Sequence, residues 1–144
     1  QGELAVGQGL ADLAQLLALG ALPESAALAW ATPRWPAAIT VVLPLSRLLP
    51  ASAGEGTLAA RIPAHEGLRS LLAELGHALT ATSANASGEP PLSDPVAVRT
   101  WLATSGEKFL VVDQGETAGG LPSTLVEVRD GEVVILRKGR DEVR

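Results

Sequence analysis

The chain has no cysteine, no methionine and no tyrosine. Without thiols it can form no disulfide, hold no thiolate-bound metal and use no cysteine nucleophile. His65 and His77 are its only histidines, and no paired ligand spacing surrounds either. Each reads as a surface or helix-end residue, so no metal site built from protein side chains is expected. Aromatic residues make up 3% of the 144 positions, which leaves a core to be assembled from Ala, Leu and Val. Charged residues are also sparse, at 19%, and the net charge is -5. Strong non-specific affinity for a phosphate backbone needs clustered Lys and Arg, and that clustering is missing. No apolar run reaches the roughly 18 residues of a membrane span. The nearest, Leu10 to Leu22, is broken by Asp12, Gln15 and Gly20. The start lacks a basic region leading into an apolar one, and Gln1 stands where an initiator Met would, so the natural start is expected upstream. A cytoplasmic protein with no membrane partner is the resulting expectation. The length suits one domain with a real core, and residues 1–144 show no repeat, low-complexity tract or linker.

Helix and strand signals interleave along the chain. Leu10, Leu13, Leu16, Leu17 and Ala21 fall at helical spacing, with Gly20 near the stop. Pro23-Glu24-Ser25 opens a second short helix that ends before Pro33. Ile39 to Leu43 and Leu58 to Ile62 read as strands, Glu66 to Leu75 as a helix closed by Gly76, and Leu79 to Thr82 as a third strand. Ser93 or Asp94 caps a helix begun by Pro95. Phe109 to Val112 is expected as a fourth strand. Thr124 to Val128 and Val133 to Leu136 follow as a hairpin turning at Asp130-Gly131. This order predicts an α/β domain with a mixed sheet.

The stretch Thr80-Ala81-Thr82-Ser83-Ala84-Asn85-Ala86-Ser87-Gly88-Glu89-Pro90-Pro91 gathers hydroxyls, a carboxamide and a glycine where strand gives way to loop. Such side chains bond to nearby backbone and favour turns, and that rim of an α/β sheet is where ligands bind. Arg61 lies inside an apolar strand. It is either an edge residue facing solvent or a cation awaiting a carboxylate or phosphate. Gly119-Gly120-Leu121-Pro122-Ser123-Thr124 precedes a strand, and could be a plain turn or a close approach of backbone to a ligand. Its spacing is not that of a Walker loop. Arg137 ends the last strand, where it could equally be a solvated charge. Asp113 and Glu127 are isolated carboxylates unsuited to paired acid–base work, and no G-x-S-x-G elbow is present. These residues suit polar binding of an anionic ligand without a covalent nucleophile.

Five blocks, in order, resemble the YrdC-like threonylcarbamoyl-AMP synthase family. Trp35-Pro36-Ala37-Ala38-Ile39-Thr40-Val41-Val42-Leu43 is similar to W-P-G-P-L-T-L-V-L, and Ala60-Arg61-Ile62-Pro63-Ala64-His65 to V-R-x-P-x-H. Thr82 to Pro90 is similar to T-S-A-N-x-S-G-x-P, Pro122 to Glu127 to P-S-T-V-V-D, and Ile135 to Gly139 to I-L-R-x-G. The resemblance runs from about Leu4 to Gly139. It implies a twisted α/β fold with an open cavity that binds ATP, L-threonine and bicarbonate, with Mg2+ accompanying the nucleotide. The implied products are threonylcarbamoyl-AMP and pyrophosphate, and a partner transferase passes the threonylcarbamoyl group to tRNA. By block match, Ser83 and Asn85 would hold nucleotide, Ser123 and Arg137 would line the adenylate site, and Arg61 would meet a substrate carboxylate or phosphate.

The chain departs from the pattern at Ala37-Ala38, which replaces Gly-Pro, and at Glu127, which replaces Asp. The family's P-T-x-T-x-Y-G-L strand and K-x-R motif, which precede a segment similar to Glu3-Leu4-Ala5-Val6, are not found; Lys138-Gly139-Arg140 spells K-x-R but belongs to the last block. A synthase-family domain, N-terminally shortened or naturally degenerate, is therefore the leading expectation, and the chain is expected to be a poor enzyme. A non-catalytic RNA- or nucleotide-binding module of the same fold, or a carbamoyl-adenylate-forming relative, are the alternatives.

Overall fold

The computed structural model describes residues 7–52 and 54–143. The segment Glu3-Leu4-Ala5-Val6 lies outside them. The first strand, β1 (Gly7–Gly9), has almost no side-chain preference for extended structure; it exists because neighbouring strands pair with its backbone. Asp12 caps α1 (Leu13–Leu19) by accepting from the Gln15 amide at 3.0 Å, and Gly20 ends it at φ 119°. Ser25 caps α2 (Ala26–Ala31), its Oγ accepting from the Leu28 amide at 3.1 Å. That helix starts one turn later than Pro23 suggested, because the Ser25 hydroxyl supplies the cap. A cis Trp35-Pro36 bond leads into β2 (Ile39–Pro44), and β3 (Thr57–Arg61) follows.

His65 caps α3 (Glu66–Leu75) through Nδ1, which accepts from the Leu68 amide at 3.1 Å, and Gly76 closes it at φ 73°. After β4 (Leu79–Ala81), Asp94 caps α4 (Pro95–Ala103). β5 (Thr124–Arg129) and β6 (Glu132–Arg137) form the closing hairpin. Asp130 and Gly131 both take positive φ, 49° and 81°, as a two-residue turn matched to strand twist requires.

The six strands form one mixed sheet in the order β4-β1-β3-β2-β5-β6. β1 runs parallel to β3, and β2 parallel to β5; the other neighbours are antiparallel. Alternation divides the sheet chemically. Ile39, Val41, Leu43, Ala60 and Val126 point to one face and form the core with Leu10, Leu16, Leu28 and Ala31 of the α1–α2 region. Thr40, Arg61, Ser123 and Leu125 alternate with those residues and so belong to the opposite face. The Trp35 indole closes one end of the core and donates from Nε1 to the Ile39 carbonyl at 2.8 Å.

The structure separates into two compact units, one reaching Ala81 and resuming at Leu121, the other Thr82–Gly120. In the second unit, the strand expected at Phe109 to Val112 does not form. Leu110 and Val112 are 88% and 64% exposed. The β-branched residues are present, but no strand pairs with this backbone, and propensity without a neighbour does not make a strand.

Candidate functional site

Strand pairing in the first unit brings together residues far apart in sequence. Thr40 is the second residue of β2, and Ser123 immediately precedes β5. Their hydroxyls meet at 2.6 Å, and both residues are only 7% exposed. Arg137, at the end of β6, clamps the same point. Its Nε and Nη2 donate to the Ser123 carbonyl at 3.2 and 2.9 Å, and Nη2 also reaches Ser123 Oγ at 3.3 Å. Because Val41 pairs with Ala60, the same register carried one residue on sets Thr40 across from Arg61.

Arg61 is partly buried on that face, and among the described residues its guanidinium makes no hydrogen bond or ion pair. Burial, and then the positive charges of Arg137 and Arg140, hold it below the ordinary arginine value. Three cations therefore lie near one another beside two buried hydroxyls. Among them Arg61, partly buried and without a counter-ion among the described residues, favours an anion, since positioned N–H donors act strongly on carboxylate or phosphate.

The segment after β6 straps this region. Gly139 donates to Thr124 Oγ1 at 3.1 Å, and Arg140 donates through its backbone amide to the Pro122 carbonyl at 2.8 Å. Thr124 Oγ1 donates in turn to the Asp141 carbonyl, and Asp141 Oδ2 accepts from the Ala38 amide at 2.9 Å. Gly139 is a glycine for a steric reason: a Cβ there would overlap Pro122 O, Ser123 C and Thr124 N.

Ser83 and Asn85 lie in the second unit, in the loop after β4. Ser83 Oγ donates to Asn85 Oδ1, and Asn85 Nδ2 donates to the Ala86 carbonyl at 2.9 Å. The structure thus pairs Ser83 with Asn85, and Ser123 with Arg137, whose charge acts on Arg61. The carboxylates doubted as acid–base groups are engaged elsewhere: Asp113 with Arg99 at 3.3 Å, and Glu127 with Arg129 at 2.6 Å. Hydrogen bonding to Glu127 raises the Arg129 value above the ordinary one. A small hollow of about 190 Å³ between Ser25, Val42, Thr57 and Glu127 lies at the other end of β2 and contains none of the candidate residues.

Sequence reasoning passed over three participants. Thr40 read simply as a β-branched strand residue, yet it supplies the partner of Ser123. Gly139 was noticed as part of a block and not for its contact with Pro122 to Thr124. Asp141 carries no local signal, because its partners, Ala38 and Thr124, are distant in sequence.

The Sua5/YciO/YrdC family model, described as "Telomere recombination", matches residues 7–139. The chain belongs to this family. Among Sua5/YciO/YrdC relatives, the threonylcarbamoyl-AMP synthase of Idiomarina loihiensis is 34% identical over 103 residues, 69% of this chain and 53% of that protein. The synthase of Laribacter hongkongensis is 33% identical over 136 residues, 93% of this chain and 70% of that protein. The crystal structure of Pyrococcus abyssi Sua5 complexed with L-threonine superposes with a TM-score of 0.76 at 31% identity, over 94% of this chain and 41% of that one. The chain spans about half the length of curated relatives such as the Idiomarina synthase. The family's α/β fold, a single mixed sheet with helices packed on it, is the fold observed.

Proposed function

We propose that this chain carries the adenylate-forming site of a threonylcarbamoyl-AMP synthase. The observation that carries the reading is Arg61: a partly buried cation with no counter-ion among the described residues, close to Arg137 and Arg140. The chain's similarity to the threonylcarbamoyl-AMP synthases of Idiomarina and Laribacter supports ATP and L-threonine as substrates, and bicarbonate is the proposed source of the carbamate carbon. In the proposed reaction, the amine of threonine and bicarbonate give a carbamate and water. A carbamate oxygen then bonds to the α-phosphorus of ATP as the bond to the β-phosphate oxygen breaks, and pyrophosphate leaves. No protein nucleophile takes part, so catalysis rests on positioning and charge stabilisation.

In this reading, Arg61 holds a carboxylate or phosphate, Ser123 and Arg137 line the adenylate, and Ser83 and Asn85 contact nucleotide. Among the described residues, no three His, Cys, Asp or Glu side chains gather in a way that could hold a metal ion. In the proposal, Mg2+ comes in with the nucleotide and takes its oxygens from phosphate and water. The product's destination is tRNA, reached through a partner transferase: the chain's net charge of -5 is poorly suited to gripping RNA directly. No helix among the described residues is long and apolar enough to cross a membrane, and the cytoplasm, where tRNA is found, is the proposed location.

The test is threonine- and bicarbonate-dependent pyrophosphate release, measured for this chain and for one extended upstream in its reading frame. Turnover in either supports the synthase reading, and turnover in the extended chain alone assigns the remaining machinery to upstream residues. ATP binding without turnover in either would overturn it in favour of a nucleotide-binding module.

A further inference from the structure

We propose that Asp141 is a positioning residue that sets the separation between the Thr40–Ser123 hydroxyl pair and the arginines around it. This rests on the adenylate-site reading above. Asp141 bonds to both strand entries at once. Its Oδ2 holds the Ala38 amide at 2.9 Å, just before β2, and its carbonyl receives the Thr124 hydroxyl at the start of β5. Thr124 also donates through its amide to the Ala38 carbonyl at 2.9 Å. The two strand entries are thereby tied into a closed ring of hydrogen bonds, with Thr40 two residues beyond one tie and Ser123 adjacent to the other.

The strap has little freedom to settle elsewhere. Gly139 is pressed against the Pro122 to Thr124 backbone, and the Arg140 amide is bonded to Pro122 O at 2.8 Å. Arg137 and Arg140, which both act on Arg61, flank this contact in sequence. Loosening the Asp141 tie therefore shifts Ser123 and the arginines relative to Thr40. Sub-ångström misplacement of such donors weakens a ligand that depends on all of them.

The Asp141 side chain is also a negative charge close to an anion site, and the two roles predict opposite results. Asp141→Asn keeps an oxygen acceptor and removes the charge. Asp141→Glu keeps the charge and moves the acceptor by one methylene. Asp141→Ala removes both. Positioning predicts ATP affinity close to wild type for Asn and reduced about fivefold or more for Glu and Ala, as for one lost and misdirected hydrogen bond. A purely electrostatic effect predicts tighter ATP binding for Asn and Ala and no change for Glu.

The experiment is calorimetric titration with ATP at 15 °C, with circular dichroism confirming that each variant is folded at that temperature. A merely structural role lowers the melting temperature while leaving the affinity of the folded protein unaltered. Affinity loss in folded Asp141→Glu, rescued in Asp141→Asn, is the expected result. Wild-type affinity in Asp141→Glu, or equal losses in Asn and Glu, overturns the positioning role alone. Failure of the wild-type chain to bind ATP overturns both this inference and the adenylate-site reading. If Asp141→Ala does not fold, the Asn and Glu pair decides the matter.

Discussion

Replacing Ser123 by Ala and Thr40 by Val, singly and together, probes the buried hydroxyl pair at the centre of the site. The hydroxyls are 2.6 Å apart and both residues are 7% exposed, so water cannot easily substitute for a lost partner. The two single changes differ in what they leave behind. In Thr40→Val, Ser123 Oγ keeps the donation from Arg137 Nη2 at 3.3 Å, and the valine fills nearly the same volume. The loss is one hydrogen bond, about 1 kcal/mol. In Ser123→Ala, the Thr40 hydroxyl loses its only side-chain partner among the described residues, and a small void opens. A buried, unsatisfied hydroxyl adds to the loss, giving about 2 kcal/mol.

The double variant has no hydroxyl to orphan, so its destabilisation falls short of the sum of the singles by about 1 kcal/mol. Urea unfolding of the four proteins measures these differences, and melting temperatures should track them at about 3 °C per kcal/mol for a chain of this size. A coupling below about 0.3 kcal/mol is within the range of independent sites. That result, or a Thr40→Val change more damaging than Ser123→Ala, would refute the reasoning.

Arg61→Met should leave folding stability equal or higher while ATP affinity falls at least about tenfold, because a charge hard to bury is replaced by an apolar chain of similar length. The folded-state value of Arg61 is depressed, so the folded protein binds that proton less well than the unfolded chain, and relief comes only as pH passes the folded value; the stability difference between variant and wild type, measured by urea unfolding, should stay flat from about pH 5 to about pH 9. Ser83→Ala with Asn85→Ala should weaken ATP binding by about 2–3 kcal/mol, and unchanged calorimetric affinity would remove both residues from the nucleotide site. Gly139→Ala forces a Cβ into the backbone of Pro122 to Thr124 and should cost more than about 2 kcal/mol of stability; a wild-type melting curve would show that the strap yields freely.

The elements most legible in the sequence were those whose ends carry their own chemistry. Glu66 to Leu75 was bounded by Gly76 and the hairpin by Asp130-Gly131, and both stand where expected. β1 escaped notice because Gly7, Gln8 and Gly9 have no strand signal of their own; β3 and β4 impose the extended form, with Gln8 Nε2 donating to Thr80 Oγ1 at 3.1 Å. Phe109 to Val112 failed in the opposite way, with suitable residues but no neighbour. At the site, Arg61, Ser123 and Arg137 were legible as unusual residue types at strand ends. Thr40 and Asp141 were not, since a threonine in a strand and an aspartate in the loop after one are ordinary until the fold supplies their partners.

The bond between Thr40 and Ser123 spans 83 residues of sequence. β2, near the middle of the sheet, leaves the ribosome well before its parallel partner β5 and the Asp141 strap, which follow it far along the sequence. Contacts this distant along the chain slow folding, because loop closure must precede any gain from them. During translation, β2 therefore waits with the edge that will meet β5 unpaired, its backbone N–H and C=O groups open to other nascent chains. A polypeptide stalled or cut before Ser123 contains the residues of β1 to β4, but it holds neither the hydroxyl pair nor Arg137.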